Sequence, residues 1–219
     1  CTRSVNTYSF AAAEVILPHV VGHESSFISQ PTNWPSLINK SELFIAFGGL
    51  PLKNSQVTSG GLSRHLQKKY MYEALQSGIE FINVSPIRSD IADGLESEWL
   101  GLTPNTDVAF MLGLGFTIVS EDLQDSLFLQ KYCIGFEKVK DYLFGHSDGI
   151  EKTAEWASSI CGVSADTIVK LARKMTDKRT ILSASWSLTR QDHGEQSYWM
   201  LITLAALLGQ IGLPGGGFA

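Results

Sequence analysis

The chain has 219 residues, of which 44% are hydrophobic and 18% are charged, and this balance predicts a globular protein with a sizeable core rather than a disordered one. Its formal net charge is −5 and its lysines and arginines are not clustered, which argues against duplex nucleic acid as a partner, because neutralising phosphates needs a concentrated basic face. The three cysteines, Cys1, Cys133 and Cys161, are widely spaced, so the sequence indicates neither a CxxC metal site nor a disulfide framework.

The most apolar stretch, residues 199–213, is about 15 residues long and contains Gln210. A bilayer-spanning helix needs roughly 20 apolar residues, so this stretch predicts a buried helix and no membrane span in this segment. An export signal would precede Cys1, so the sequence leaves a periplasmic and a cytoplasmic location both open.

The N-terminal elements are a helix and a polar connection. Residues 8–21 are mostly apolar and predict a helix that stops or kinks at Pro18. A polar stretch, residues 22–37, follows this helix.

A βαβ unit comes next. Residues 42–49, "ELFIAFGG", have the length and flanking glycines of a buried strand. Residues 62–78 predict an amphipathic helix with Gly78 at its C-cap position, and residues 79–86, "IEFINVSP", predict a second strand that ends at Pro86.

The remaining elements continue the alternation. Residues 97–104 predict a short third strand, and residues 106–119 a helix with Thr106 and Asp107 at its N-terminus. Four helical segments then fill residues 121–177. A fourth strand begins at Arg179, and a long apolar helix runs from about Gly194 to Gly209.

This order of elements predicts an α/β fold with a mainly parallel, Rossmann-like sheet and helices on both faces. We expect an N-terminal helix and connecting segment over residues 1–40 and an α/β dinucleotide-binding domain over residues 41–219. That domain would carry a helical insertion at about residues 121–177 and a C-terminal junction at residues 213–219. The abrupt ends, at Cys1 and after "LPGGGFA", predict a piece of a longer chain.

Ligands of open parallel sheets bind beyond the carboxyl ends of the strands, so the loops after the four predicted strands are the candidate site. None contains GxGxxG, and no GxxxxGK[ST] occurs in the chain. The candidate nucleotide contacts are Gly48 and Gly49 at a diphosphate, Lys53 and Arg88 for charge, and Asn83 or Asp107 at ribose or base. Spacing leaves a structural alternative open, in which the glycines form tight turns, Asp107 caps a helix, and Arg88 pairs with Asp90 or Asp93.

The loop after the fourth strand, residues 185–196, is unusually dense in polar and aromatic side chains. It is either a solvated loop with Asp192 as the helix N-cap, or a wall that faces a ligand, with Trp186 as an aromatic surface and Arg190 as a fixed charge.

Several motifs occur together and in order: "INVSPIRSD", "PNTDVAFMLG", "GHSDGIEKTAEWASSICGV", "SWSLTRQDHGEQSYWML" and "LLGQIGLPGGGF". Together they resemble the dimethyl sulfoxide reductase family of molybdopterin oxidoreductases, and within it the trimethylamine N-oxide, dimethyl sulfoxide and biotin sulfoxide reductases. The resemblance covers nearly the whole chain, as an internal fragment of such an enzyme.

The resemblance implies a parent enzyme in which one molybdenum is held by two molybdopterin guanine dinucleotides and a protein side chain. The metal takes an oxygen atom from a small S-oxide or N-oxide, and an electron donor re-reduces it. In this branch a serine upstream of the region that matches Cys1 ligates the metal, so no metal ligand is expected in this chain. We expect the fragment to bind part of the cofactor, to need the remaining domains of the parent chain, and to be inactive alone.

The resemblance also implies site residues, in four groups. The dinucleotide would be faced by Lys53 and Asn54, and the guanosine would be met by Asn83, Ser85, Pro86 and Arg88. The guanine edge would be contacted by Thr106 and Asp107. The pterin would be approached by Ser187 and His193. Arg190 would favour the oxide oxygen, and Trp186 would narrow the substrate funnel. The chain departs from the family at two positions. Leu50 stands where an acidic residue or asparagine is more common, and Thr189 stands where glutamine is more common.

Two other classes remain as alternatives. The βαβ pattern also fits a nucleotide-binding module of the NAD type, although the missing GxGxxG disfavours it. The second is a cofactor-free scaffolding α/β module that retains the fold without the chemistry.

Overall fold

The computed structural model describes residues 7–23, 32–55 and 64–219, and within them a parallel sheet of five strands has the order β3-β2-β1-β4-β5. The strands are β1 (Leu43–Phe47), β2 (Glu80–Val84), β3 (Glu98–Leu100), β4 (Thr180–Ala184) and β5 (Gly217–Phe218). The strands β2 and β3 follow β1 in sequence and lie on one side of it, whereas β4 lies on the other side of β1. The strand order therefore reverses between β1 and β4, and this is the position at which open α/β sheets bind ligands.

The helices of the described part of the chain cover the sheet. They are α1 (Ala11–Val21), α2 (Trp34–Lys40), α3 (Leu52–Ser55), α4 (Gln67–Gln76), α5 (Asp107–Ser120), α6 (Ser126–Tyr132), α7 (Phe136–Leu143), α8 (Ala154–Cys161), α9 (Ala165–Asp177) and α10 (Glu195–Leu207), with a short 3-10 helix at Trp186–Thr189. None of them is long and apolar enough to cross a membrane.

The central strand β1 shows why the sheet needs helices on both faces. All five of its residues are buried, and alternate side chains enter two separate cores. Leu43, Ile45 and Phe47 pack with residues of α1, α5, α8, α9 and α10, while Phe44 and Ala46 pack with residues of α2 and α4. A strand that is buried on both faces has a continuous apolar sequence, and this is the pattern of residues 43–47.

The predicted fold class is confirmed, and so are the four predicted strands and the helical segments between β3 and β4. The expected helix over residues 106–119 is α5, with Thr106 at its N-cap position. The first part of the expected helix at residues 62–78 lies outside the described residues, and α4 occupies Gln67–Gln76 with Gly78 just beyond its C-cap. The division into domains stays a prediction.

Three local predictions differ from the structure. The helix that was expected to stop or kink at Pro18 does not stop there, because α1 continues to Val21 and ends at Gly22, whose φ is +83°. The polar stretch at residues 22–37 contains the start of α2, where Asn33 caps the helix by accepting a hydrogen bond from the Ser36 amide at 3.0 Å. The glycine-rich end includes a strand, since β5 pairs in parallel with β4.

The chain reaches the position of β5 because its backbone at Gly215 passes very close to the backbone at the end of α2. A Cβ atom on Gly215, whose φ is +77°, would lie 2.7 Å from the backbone of Lys40 and Ser41. The Ser41 hydroxyl donates a hydrogen bond to the Gly215 carbonyl at 2.6 Å. Glycine lets the chain pass this point and enter the sheet, and a two-residue strand leaves too little alternation to be detected from sequence.

Candidate functional site at the carboxyl end of the sheet

Two glycines after β1 bring three strand-end loops together. The Gly48 amide donates to the Val84 carbonyl at 2.8 Å, and the Ser185 amide donates to the Phe47 carbonyl at 2.8 Å. Gly48 has φ +79°, and a Cβ atom there would lie 2.3 Å from Leu188 Cδ1. Only glycine fits between the loops after β2 and β4, because both the space and the backbone angle exclude a side chain.

Gly49 joins the loop after β1 to the loop after β2. Its φ is +83°, and a Cβ atom would lie 2.3 Å from the Asp90 carbonyl oxygen. The next amide, that of Leu50, donates to the same carbonyl at 2.8 Å. Backbone contacts of this kind hold the two loops together, and they leave no room for a side chain at Gly49.

Asn83 lies near the end of β2 and is fully buried. Its Nδ2 donates to the Arg88 carbonyl at 3.2 Å, and this bond fixes the orientation of the amide, because a carbonyl accepts only from a donor. The opposite atom, Oδ1, is buried and has no hydrogen-bond partner among the described residues. An unsatisfied buried acceptor costs about 1–3 kcal/mol, so Asn83 Oδ1 is a candidate contact for a hydrogen-bond donor from outside the described residues.

Ser85 shapes the loop that follows β2. Its buried hydroxyl accepts from the Ile87 amide at 3.2 Å and donates to Asp90 Oδ2 at 3.1 Å. Its carbonyl accepts from Trp99 Nε1 at 2.9 Å, which attaches β3 to the same loop. Ser85 is therefore a structural residue of the loop in this conformation.

Pro86 and Arg88 are exposed on that loop. The guanidinium carbon of Arg88 lies 6.0 Å from the centre of the Trp99 ring, at the limit of a cation–π contact. The alternative pairing of Arg88 with Asp90 or Asp93 does not occur among the described ion pairs. Asp90 is instead bound by Ser85, and Arg88 keeps its charge available at the loop surface.

Asp107 is the first residue of α5 and only 7% of its surface is exposed. Burial raises its pKa from 3.8 to about 6, and the hydrogen bond at its own backbone amide opposes this shift only partly. Thr106 precedes it at the N-cap position, and the Thr106 hydroxyl donates to the Thr103 carbonyl at 2.6 Å. A buried carboxylate with a perturbed pKa is a candidate for ligand contact.

The loop after β4 begins with the 3-10 helix Trp186–Thr189. The Ser185 hydroxyl caps it by accepting from the Ser187 amide at 3.3 Å, and the two serine Oγ atoms lie 2.9 Å apart. A Cβ atom on Gly48 would lie 3.2 Å from Ser187 Oγ, so Ser187 faces the glycine turn of β1. Of the residues predicted in this loop, Ser187 is the one that the structure brings to the switch point.

Trp186 and Arg190 lie on the part of this loop that contacts the N-terminal segment. The Trp186 ring is 4.4 Å from the Phe10 ring, centre to centre. Arg190 Nε donates to the Ser9 carbonyl at 2.9 Å. Sequence reasoning missed both N-terminal partners, because nothing in residues 8–10 distinguishes them from the start of an ordinary helix.

Three predicted residues lie away from these contacts. Lys53 and Asn54 are exposed on α3, and His193 is exposed beside Asp192 and Glu195, at 3.8 Å and 3.7 Å. The expected N-cap role of Asp192 is wrong, because α10 begins after Gly194 and its first turn has no side-chain cap. Within residues 7–23, 32–55 and 64–219, no group of three or more His, Cys, Asp or Glu side chains could hold a metal ion.

The whole chain, residues 1–219, matches the family model described as molybdopterin oxidoreductase. It is 46% identical to the dimethyl sulfoxide/trimethylamine N-oxide reductase of Rhodobacter capsulatus over 96% of this chain and 25% of the relative. It is 43% identical to a trimethylamine-N-oxide reductase of Haemophilus influenzae, over 96% of this chain and 25% of that protein. It is also 41% identical to a biotin sulfoxide reductase of Cereibacter sphaeroides, over 99% of this chain and 29% of that protein.

Among solved structures, the acetylene hydratase of Pelobacter acetylenicus shares the fold, with a TM-score of 0.62 and 24% identity. The match covers 82% of this chain and 23% of that one. The chain thus spans about a quarter of the length of the curated relatives that it matches. Because the family model covers every residue, the chain belongs to the molybdopterin oxidoreductase family.

Proposed function

We propose that the chain is the part of a molybdenum-dependent S-oxide or N-oxide reductase that binds the guanosine end of one half of a bis(molybdopterin guanine dinucleotide) cofactor. The observation that carries the proposal is the buried Asn83 Oδ1, which lacks a donor from the described residues near the carboxyl end of β2, the strand next to β1. Relatives that cover nearly the whole chain are named as reductases of such oxides.

The chemistry of the site fits a guanine nucleotide. The Watson–Crick edge of guanine presents N–H donors, and Asn83 Oδ1 and the Asp107 carboxylate are two buried acceptors that neighbour different strand ends. Gly48 and Gly49 form the tight turn at which the loops after β1, β2 and β4 meet, beside these acceptors. A cofactor-free scaffolding module would leave Asn83 Oδ1 without a hydrogen-bond donor.

The remaining predicted residues have supporting roles in this proposal. Arg88 supplies positive charge from a loop that Ser85 and Pro86 shape, and Lys53 and Asn54 supply polar groups from the exposed helix α3. Thr106 sets the start of α5 and so the position of Asp107. Ser187 faces the Gly48 turn, and His193 lies farther along the same loop.

When bound, the molybdenum cofactor supplies the two-electron chemistry that removes oxygen from an S-oxide or N-oxide. This chain binds and orients the dinucleotide, and its loop after β4 borders the approach of the substrate. There Arg190 favours the polar oxygen of the oxide, and Trp186 limits the width of the approach. The remaining domains of the parent chain supply the metal ligand, the second half of the cofactor site and the contact with a redox electron donor.

The experiment that tests this proposal uses the full-length protein that contains this chain, purified from cells able to make the cofactor. Molybdenum is measured by elemental mass spectrometry, and guanine nucleotide is measured after acid release from the same sample. We expect two guanine nucleotides per molybdenum. A protein that contains neither would overturn the proposal in favour of a cofactor-free module.

A further inference from the structure

We propose that the turn at residues 8–10, which precedes α1, holds Trp186 and Arg190 in position beside the path by which the substrate approaches. The turn would thereby form part of the lining of that path. This inference rests on the proposed function, and it adds Ser9 and Phe10 to the site as positioning residues. The turn is about 180 residues away from the loop in sequence, and two independent contacts join them.

The first contact is between aromatic rings. The Phe10 and Trp186 rings lie 4.4 Å apart at an angle of 37°, within the range of a favourable aromatic pair. Trp186 remains 41% exposed while it makes this contact. Phe10 thus restrains the indole and leaves much of its surface available to a ligand.

The second contact is a pair of hydrogen bonds to one carbonyl. The Ser9 carbonyl accepts from Arg190 Nε at 2.9 Å and from the Thr189 hydroxyl at 3.4 Å. The Thr189 hydroxyl also lies 2.9 Å from the Trp186 carbonyl, so the 3-10 helix and the turn are joined at the same place. A guanidinium bound through Nε retains two terminal nitrogens, which can meet an oxygen atom in a fixed orientation.

The turn itself is anchored to the core. Ala13 and Leu17 of α1 are buried in the same cluster as Leu201 and Leu204 of α10. The turn therefore has a fixed position relative to the sheet, and it can act as a support. An aromatic surface beside an oriented cation suits a small oxide, whose carbon substituents contact the ring and whose oxygen contacts the guanidinium.

The test compares Phe10→Ala with Phe10→Tyr in the full-length protein, with its cofactor bound. We expect Phe10→Ala to raise KM for the oxide about 3- to 10-fold, the range of one aromatic contact, while kcat and the contents of molybdenum and guanine stay unchanged. Phe10→Tyr should restore KM. Tyr8→Ala is the matched control, because Tyr8 is an aromatic residue of the same turn and is 85% exposed.

Arg190→Lys separates orientation from charge, since lysine retains the charge but has one ammonium group in place of the guanidinium fork. We expect it to raise KM to a similar extent. A readout that needs no turnover is acrylamide quenching of Trp186 fluorescence, obtained as the difference between proteins with and without Trp186→Phe. Phe10→Ala should increase that quenching.

Unchanged KM and unchanged quenching in Phe10→Ala would overturn the inference. Loss of molybdenum or guanine in Phe10→Ala would also overturn it, because the turn would then support the cofactor rather than the substrate approach. If the unsubstituted protein contains no molybdenum or guanine, the proposed function fails. Quenching in that protein still decides whether Phe10 restrains Trp186, so the two failures are distinguishable.

Discussion

The buried carboxyl of Asp107 makes the stability of the cofactor-free chain depend on pH. Its pKa is about 6 in the folded chain and 3.8 ordinarily. The folded state therefore binds this proton more tightly than the unfolded state does. Protonation stabilises the fold as the pH falls from 6 towards 4, and ionisation destabilises it by about 3 kcal/mol at pH 7.

We predict that Asp107→Asn removes this dependence. Between pH 4.5 and pH 7.5, the free energy of unfolding of the unsubstituted chain should lose about 2 kcal/mol more than that of the variant. Urea unfolding at the two pH values measures the difference. Asp166→Asn is the control, because Asp166 also lies in the first turn of a helix but is exposed and paired with Lys170. Equal pH dependence of Asp107→Asn and the unsubstituted chain would contradict the prediction.

Sequence identified Asn83 and Asp107 as candidates because polar residues at the ends of parallel strands lie at one edge of a sheet. It could not show that Asn83 Oδ1 lacks a donor, since that depends on which amide atom the Arg88 carbonyl engages. The contacts of Ser9 with Arg190 and of Phe10 with Trp186 could not be predicted from the sequence, for a different reason. They join positions about 180 residues apart, and no local pattern encodes such a contact.

At the scale of elements, Lys152 stabilises the loop that connects α7 and α8. It is only 2% exposed, and its Nζ lies 2.8 Å and 3.0 Å from the two carboxylate oxygens of Asp148 and 3.4 Å from the Tyr142 carbonyl. The Tyr142 and Trp156 rings lie 4.2 Å and 5.6 Å from it. The ammonium also holds the pKa of Asp148 below its usual value. One side chain therefore binds the end of α7, the loop and the start of α8.

We predict that Lys152→Ala destabilises the chain by about 2–3 kcal/mol, because it removes a buried stem and leaves the carbonyls of Tyr142 and Ile150 and the Asp148 carboxylate without their donor. Lys170→Ala is the matched control. Lys170 contacts Asp166 at 2.7 Å with the same spacing of four residues, but both side chains are exposed, so we expect about 0.5 kcal/mol or less. Denaturant unfolding of both variants measures the difference. Equal losses of stability would show that burial of Lys152 contributes nothing.

The elements that sequence predicted well are long and strongly patterned, such as α5 and α9, or continuously apolar, such as β1. The helix α2 was missed because it has seven residues and one buried side chain, Leu37. Pro18 was expected to stop or kink the helix, because proline removes an amide donor. The helix continues past it because its last turn packs Val20 and Val21 against the core, which offsets the lost hydrogen bond.

At the scale of the whole molecule, the proposed function makes this site one part of a binding surface shared with the other domains of the parent chain. The chain spans about a quarter of its curated relatives, and no metal-binding cluster occurs in residues 7–23, 32–55 and 64–219. A ligand that contacts several domains loses most of its binding energy when only one is present. We therefore predict that the isolated chain does not oxidise dithionite-reduced viologen in the presence of an S-oxide or N-oxide.

The full-length protein, prepared in the same way, is the positive control and should oxidise the dye. Dye oxidation by the isolated chain above the rate of a heat-denatured sample would contradict the prediction.

The order of the strands was predictable in part, since alternating strands and helices imply a parallel sheet. The return of β4 to the far side of β1 was not, because no local pattern specifies which edge of a sheet a strand joins.

That return of β4 has a consequence for synthesis on the ribosome. The backbone amide of Arg179, beside β4, donates a hydrogen bond to the carboxylate of Glu42, beside β1, across 137 residues. At about 5–20 residues per second, β1 emerges roughly 7–27 s before the strand that completes its pairing. During that interval a fully apolar strand has one open edge in the nascent chain, so this protein should depend on a holding chaperone more than one whose strands pair in order of synthesis.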